Sequence, residues 1–184
     1  QAPSIAQALK IARLSVKDER GRMGLGSFKA LGAAYVIAHS AIIKGEAQSA
    51  KTYVTASAGN HGLSVAAGAK AFGATSVIFL SQSVPEAFAK RLIAQGAKVE
   101  RAGETYEQSM SAAQAAAEDN GWTLLSDSSW PGYSDLSHRL MEGYTVFMAE
   151  ADRQISAPTH IFLPAGVGGL AGAAAVGSLG VYAA

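Results

Sequence analysis

The sequence predicts an α/β protein with a mostly parallel sheet and helices on both of its faces. Short segments of β-branched and aromatic residues, which favour strands, alternate with alanine-rich segments whose apolar residues recur at helical spacing. Glycine follows several of the helical segments, at the position where a left-handed cap favours it. Strands that are joined through helices run parallel, and a parallel sheet is covered by helices on both faces.

Five segments predict strands, at residues 52–55, 76–80, 97–100, 122–125 and 160–163. Four segments between them predict helices, at residues 63–72, 86–95, 106–119 and 136–151. Gly73, Gly96 and Gly121 end three of these helices, and a further helix is predicted to begin near Phe28. Ligands bind beyond the carboxyl ends of the strands in such sheets, so we expect functional residues in the loops that follow the strands.

Composition narrows the class of protein. The chain has 184 residues, 49% of them hydrophobic, which suffices for one large or two small domains. A net charge of +1 without a block of like charges argues against a nucleic-acid partner. Cysteine is absent and the four histidines are scattered, so neither a disulfide nor a metal site is expected. Residues 161–184 are uncharged, but Pro164 and many glycines favour a strand, turn and helix over a membrane span, and the expected location is the cytoplasm.

The first motif is the lysine segment, residues 24–32, a glycine-bearing turn that leads into a helix. Lys29 falls in the first helical turn, where the helix dipole opposes an ammonium group and favours the free amine that a Schiff base requires. A surface lysine is the alternative interpretation. The apolar neighbours Phe28 and Leu31 weigh against it.

The asparagine loop, residues 55–62, lies between a predicted strand and a predicted helix. Its small residues let backbone N–H groups at the helix start converge on an anion, and Ser57 and Asn60 add side-chain donors. A carboxylate or a phosphate fits such a site. A tight turn with an asparagine cap is the alternative, and His61 is compatible with a structural or a catalytic role.

The glycine loop, residues 164–172, also lies between a predicted strand and a predicted helix. Its glycines permit close approach of the backbone to a phosphate, and the helix dipole favours the negative charge. The same residues match a dinucleotide-binding pattern, but that pattern requires an acidic residue after a second strand, which the chain does not supply.

The aspartate loop, residues 127–133, follows the strand predicted at 122–125. Asp127 at the carboxyl end of a strand, beside serine and tyrosine hydroxyls, can act as an acid or base or hold a substrate amine. A turn stabilised by the aspartate side chain explains the segment equally well.

Together, in this order and spacing, the loops resemble those of fold type II enzymes that depend on pyridoxal 5′-phosphate (PLP), the tryptophan-synthase-β-like group that includes serine and threonine dehydratases. Segments 24–32 and 127–133 are most similar to the diaminopropionate ammonia-lyases of that group.

The resemblance implies roles for individual residues. Lys29 would carry the cofactor as a Schiff base and act as the base at Cα, Asn60 would bind the phenolic oxygen of the cofactor, and Asp127 would lie near the distal amine or hydroxyl of the substrate. The residues expected to bind a small amino-acid substrate are Ser57, Ala58, Gly59, Asn60 and His61. Those expected to bind the cofactor phosphate are Gly166, Val167, Gly168, Gly169 and Leu170.

The implied reaction is β-elimination of ammonia from 2,3-diaminopropionate, which yields pyruvate and ammonia. Ala58 stands where the ammonia-lyases have an aspartate that is credited with handling the D-isomer, so activity on D-substrates is not expected. At this position the sequence of the asparagine loop is more similar to that of the dehydratases. A serine/threonine dehydratase is therefore one alternative. A catalytically inert fragment or binding module of the same fold, and a nicotinamide-dependent oxidoreductase, are the others.

The resemblance also implies a division of the chain into parts of two domains. Residues 1–48 correspond to the N-terminal part of the large domain with the PLP lysine, residues 49–152 to the small α/β domain, and residues 153–184 to the start of the C-terminal part of the large domain with the glycine loop. The remainder of the large domain is expected to be missing from a truncated chain, and the complete protein is expected to be a homodimer.

Overall fold

A computed structural model describes residues 1–182, which form a four-stranded sheet surrounded by helices. The strands are β1 (Thr52–Ala56), β2 (Thr75–Leu80), β3 (Lys98–Arg101) and β4 (Thr123–Leu124). The α-helices are α1 (Pro3–Ala8), α2 (Lys29–Ala38), α3 (Asn60–Ala71), α4 (Glu86–Ala94), α5 (Tyr106–Asn120), α6 (Asp135–Gln154) and α7 (Gly169–Tyr182). A 3-10 turn at Arg22–Gly24 and a π-helical turn at His39–Ile43 complete the helical structure of the described residues.

All strand pairs are parallel, and the sheet order is β3-β2-β1-β4. Val54 in the central strand β1 pairs with Val77 of β2 on one side and Leu124 of β4 on the other. The chain therefore moves outward from β1 in one direction through β2 and β3, and then crosses back to place β4 on the opposite side. A reversal of this kind opens a crevice at the carboxyl ends of the strands.

Helices cover both faces of the sheet, as the sequence predicts. On one face, Tyr53 and Ile78 pack with residues of α2, α3 and α4, among them Leu63 and Leu92. On the other face, α5 lies against the sheet, and a smaller apolar cluster joins it to the strands through Val54, Ala56, Val77, Ala113 and Ala117. The predicted fold class, α/β with a parallel sheet between helical layers, is confirmed.

The predicted helix ends at glycine are also found. Gly73, Gly96 and Gly121 have φ angles of +74°, +93° and +65°, in the left-handed region that favours glycine. Gly121 directly caps α5, and the start of the same helix is fixed by a capping box between Thr105 and Gln108.

Glycines also allow the helix that begins at Lys29 to pack closely on α6. A Cβ atom at Gly143 of α6 would lie 2.5 Å from the carbonyl oxygen of Leu31, and one at Gly32 of α2 would lie 2.6 Å from Cε1 of Tyr144. These separations leave no room for a methyl group, so the backbone of α6 at Gly143 lies against the backbone of α2, and the backbone of α2 at Gly32 lies against the ring of Tyr144. The contact fixes the lysine segment against α6.

The fifth predicted strand, residues 160–163, is not formed, and that prediction is wrong. The segment pairs with no strand among residues 1–182, and Phe162 is 87% exposed. A strand needs a neighbour for its backbone groups, and composition alone does not supply one. β4 is likewise shorter than predicted, because only Thr123 and Leu124 pair with β1.

Candidate active site

The candidate active site lies at the carboxyl ends of β1 and β4, the crevice that the sheet order creates. The asparagine loop leaves β1 and leads into α3, and the aspartate loop leaves β4 and leads into α6. Lys29 is the first residue of α2, which packs against both α3 and α6. The fold thus brings together two loops and a helix start that are far apart in the sequence.

Lys29 and Asp127 form the centre of the site. The Lys29 Nζ atom donates a hydrogen bond of 2.6 Å to Oδ2 of Asp127, and each side chain is about one-fifth exposed, at 19% and 20%. The rings of Phe28 and Tyr144 border the ammonium group, with centroids 5.5 and 5.6 Å from Nζ. The primary amine is therefore held between a carboxylate and two aromatic rings.

The electrostatics of the pair favour an ionised carboxylate. Burial by itself raises the pKa of Asp127, but the hydrogen bond and the charge of Lys29 act in the opposite direction, and the pKa lies below its usual value. Burial and the charge of Asp127 raise the pKa of Tyr144, which stays a neutral phenol. The site therefore combines one carboxylate, one amine and neutral aromatic neighbours.

His61 is a buried member of the asparagine loop. It is only 4% exposed, and its Nε2–H donates a hydrogen bond of 2.8 Å to the carbonyl oxygen of Leu125, which fixes the tautomer. Burial lowers the pKa of His61, although the nearby Asp127 opposes this shift, so that the ring is neutral at neutral pH. Nδ1 is buried without a partner among the described residues.

The rest of the asparagine loop surrounds the start of α3. Asn60 is exposed at the first position of this helix and Gly59 caps it, with space free of heavy atoms where a Cβ of Gly59 would lie. A Cβ at Gly62, in contrast, would overlap the carbonyl oxygen of Ser57, so glycine is required there for the turn. The first N–H groups of α3 have no partner within the helix, and the N–H of Gly59 donates a hydrogen bond of 3.3 Å to Oγ of Ser57.

The glycine loop is exposed and ends where α7 begins. A Cβ atom added at Gly166 or Gly168 would have no heavy atom within 4 Å, and Gly168 has a φ of +89°. Gly169 starts α7, and Leu170 is buried against the apolar cluster of α6 and α7. The loop therefore presents a helix N-terminus beside free space.

Tyr144 connects the lysine segment to the glycine loop. Its ring meets the Phe28 ring edge-on with centroids 5.1 Å apart, and a Cβ at Gly169 would lie 3.5 Å from its Cε2 atom. Its hydroxyl is buried and has no hydrogen-bond partner among the described residues. Sequence reasoning missed this residue because its periodicity within α6 identifies a core position, whereas its proximity to Lys29 depends on helix packing.

These observations fit a PLP site. The amine of Lys29 suits covalent attachment, and the free space at Gly166 and Gly168 beside the N-terminus of α7 suits a phosphate. The unpaired hydroxyl of Tyr144 offers a further polar contact.

Of the predicted site residues, the structure joins Lys29 directly to Asp127 and places His61 close enough to influence both. Through Tyr144 it also places the start of α7 beside the lysine segment. No hydrogen bond within residues 1–182 connects Ser57 or Asn60 to Lys29.

Among residues 1–182 there is no acidic or histidine cluster that could hold a metal ion, and no helix has the length and apolarity to cross a membrane.

Residues 1–179 match the family described as pyridoxal-phosphate dependent enzymes. The chain belongs to this family, which confirms its resemblance to the fold type II enzymes and identifies pyridoxal 5′-phosphate as the family's cofactor.

Among individual proteins, the chain is 31% identical to diaminopropionate ammonia-lyase of Escherichia coli (strain K12) over 186 residues, covering 91% of this chain and 47% of that protein. It is 33% identical to L-serine dehydratase/L-threonine deaminase of Mus musculus over 147 residues, covering 79% of this chain and 41% of that protein. The crystal structure of the E. coli ammonia-lyase in apo form matches with a TM-score of 0.89 and 31% identity, covering 97% of this chain and 53% of that one. The chain therefore spans about half the length of these relatives.

Proposed function

We propose that the protein that contains this chain is a PLP-dependent lyase that eliminates ammonia from the β-carbon of a small amino acid, with L-2,3-diaminopropionate as the substrate. The observation that carries the proposal is the hydrogen bond of 2.6 Å between the Lys29 amine and the Asp127 carboxylate. In this proposal Lys29 is the group for covalent attachment and Asp127 the group for proton transfer, and the hydrogen bond between them supports their acting together. The similarity to diaminopropionate ammonia-lyase supports the choice of substrate.

The bound cofactor supplies an electron sink for the negative charge that develops at Cα of the substrate. Lys29 would hold the cofactor, and its amine would remove the proton from Cα of the substrate. Asp127 accepts a hydrogen bond from that same amine, so it can take up the proton and deliver it to the nitrogen that leaves Cβ. The proton removed from Cα thereby ends on the departing ammonia.

The remaining loops bind and orient. In this proposal the substrate carboxylate lies at the start of α3, on the N–H groups near Gly59 and the side chains of Ser57 and Asn60, and Asn60 also contacts the phenolic oxygen of the cofactor. The phosphate lies at the start of α7, on the backbone from Gly166 to Leu170. Both are helix N-termini next to open space, where the dipole and unpaired N–H groups favour an anion.

The attachment site is tested by absorption spectroscopy of the complete natural protein with PLP. We expect the band of a lysine-bound cofactor, and we expect Lys29→Ala to abolish it. Lys90→Ala is the matched control, because Lys90 is exposed on α4 and far from these loops in sequence. A band that persists in Lys29→Ala contradicts the assignment, and Lys90→Ala should keep the band unchanged.

The substrate is tested by measuring oxo-acid release. We expect pyruvate from L-2,3-diaminopropionate and none from the D-isomer, because Ala58 leaves the asparagine loop without a carboxylate. Rapid turnover of the D-isomer contradicts this part of the proposal.

A serine/threonine dehydratase is the second candidate, favoured by the 33% identity to the mouse dehydratase and by Ala58. Release of an oxo acid from threonine or serine alone supports it over the ammonia-lyase. The division at residues 48 and 152 into parts of a large and a small domain, the homodimer and the cytoplasmic location remain predictions.

A further inference from the structure

The end of the aspartate loop forms a rigid four-residue turn. The Trp130 N–H donates a hydrogen bond of 3.0 Å to the carbonyl oxygen of Tyr133, and the Tyr133 N–H donates one of 2.9 Å to that of Trp130. Their rings stack with centroids 4.3 Å apart and planes 14° from parallel, and Gly132 supplies the positive φ of +88° that the turn needs. The ring of Tyr133 is thus held in one orientation.

The hydroxyl of Tyr133 bridges two backbone groups of the segment that leads to Asp127. It donates a hydrogen bond of 3.1 Å to the carbonyl oxygen of Leu124 and accepts one of 2.8 Å from the N–H of Ser126. In an extended chain these two groups point to the same side, toward the place of a neighbouring strand. β4 is the edge of the sheet, so the hydroxyl occupies the position that a further strand would fill.

The opposite side of the segment is fixed as well. The N–H of Leu125 donates to the carbonyl oxygen of Val54 at 2.8 Å, and its carbonyl oxygen accepts from Nε2 of His61 at 2.8 Å. Residues 124–126 are consequently held by the sheet and His61 on one side and by a single hydroxyl on the other.

Asp127 follows directly after this clamped segment. On its far side, Ser137 Oγ donates a hydrogen bond of 2.7 Å to the carbonyl oxygen of Ser128. The direction of the Asp127 carboxylate toward Lys29 is therefore determined by the backbone on both sides of it, since a displaced backbone would move the carboxylate away from the amine 2.6 Å distant.

We propose that Tyr133 is a positioning residue, whose hydroxyl holds residues 124–126 so that Asp127 keeps its hydrogen bond to Lys29. Its importance for catalysis rests on the proposed function, but its effect on the Lys29–Asp127 pair does not. Residues 130–133 then orient Asp127 without touching the substrate. Burial raises the pKa of Tyr133 to about 12, which keeps the hydroxyl protonated and able to donate.

The test uses the complete protein without cofactor and measures the pKa of Asp127 by carbon NMR, with Asp127→Asn to assign the signal. In Tyr133→Phe the stacked ring remains and the hydroxyl is lost, so the carboxylate loses its fixed contact with Lys29. We expect the pKa of Asp127 to rise toward its usual value, because the hydrogen bond from Lys29 that lowers it is weakened. In Tyr106→Phe, which removes a hydroxyl that bonds to none of residues 124–128 but lies near the same carboxylate, we expect no change.

A residue that only contributes stability would lower the melting temperature without moving the pKa of Asp127. An unchanged pKa in folded Tyr133→Phe therefore overturns the proposal. The wild-type protein provides a second measurement in case the variant does not fold, since the Ser126 amide proton should exchange slowly with solvent. Exchange at the rate of an unprotected amide overturns the proposal as well.

The same variant separates this proposal from the proposed function. If turnover is present, Tyr133→Phe should reduce kcat about tenfold and leave KM nearly unchanged, because the substrate contacts are intact. If the protein has no lyase activity but the pKa of Asp127 still rises in Tyr133→Phe, the proposed function fails and the positioning role of Tyr133 stands.

Discussion

Gly32→Ala tests the close packing that holds the lysine segment. The added Cβ would lie 2.5 Å from Cδ2 of Leu140 and 2.6 Å from Cε1 of Tyr144, both of which are almost fully buried. Ordinary contact requires about 1 Å more, so two packed side chains must move. Tyr144 has little freedom to do so, since its ring also meets Phe28 and lies beside Gly169.

The expected cost follows from two opposing contributions. Overpacking of a tight core costs about 1–3 kcal/mol, and three overlaps below 3.0 Å place this site at the upper end of that range. Replacement of glycine by alanine inside a helix returns about 1 kcal/mol. We therefore expect the free energy of unfolding to fall by about 2 kcal/mol.

Gly172→Ala is the matched control in α7, because its Cβ would meet only Cε of Met141, the end of a flexible side chain. There the helical gain remains, and the variant should be as stable as the wild type or slightly more so. Urea unfolding of the complete protein, followed by tryptophan fluorescence, measures both variants. If Gly32→Ala is as stable as Gly172→Ala, the tight packing of α2 on α6 is not what the distances imply.

Two further predictions concern pH. Hydrogen bonds from Arg22 and Lys17 lower the pKa of Glu150 to about 2, so the stability from this cluster is present above pH 4.5 and is lost as pH falls toward 2. Glu150→Gln should cost about 1 kcal/mol at pH 7 in urea unfolding, and a difference that persists at pH 2 contradicts this. His61 is buried as a neutral ring, so protonation favours the unfolded chain, and the free energy of unfolding of the wild type should fall by up to about 1.4 kcal/mol per pH unit below pH 6.5. His61→Gln keeps a donor for the carbonyl oxygen of Leu125, and its free energy of unfolding should lack this dependence on pH.

Local signals in the sequence predict most of the fold. The strand predicted at 52–55 is observed at Thr52–Ala56, and the helix predicted at 86–95 is observed at Glu86–Ala94. Both depend on residue type and periodicity, which a short window contains. The segment 160–163 contains β-branched and aromatic residues, as other strands do, but strand formation depends on a partner that such a window does not contain.

The candidate site is predictable in its residue types and less so in its contacts. The glycine and asparagine loops identify positions where an anion is favoured, because the N-terminus of a helix has that property wherever it occurs. At Lys29 the sequence indicates only the effect of the helix dipole on the amine. The fold brings the carboxylate of Asp127, 98 residues away in the chain, into hydrogen-bonding contact with that amine. The partner of Tyr133 is likewise invisible, since a hydroxyl bound to backbone leaves no pattern in residue types.

The separation of 98 residues between Lys29 and Asp127 also sets an order of events during synthesis. At about 5–20 residues per second, the ribosome needs roughly 5–20 s to add the residues that lie between them. During that interval the nascent chain exposes an amine without its carboxylate, and β1 lies without its neighbour β4. The Lys29–Asp127 hydrogen bond can form only after the segment that follows β4 has been made, so a ribosome that pauses before residue 123 holds a chain that has the lysine but not yet the carboxylate that binds it.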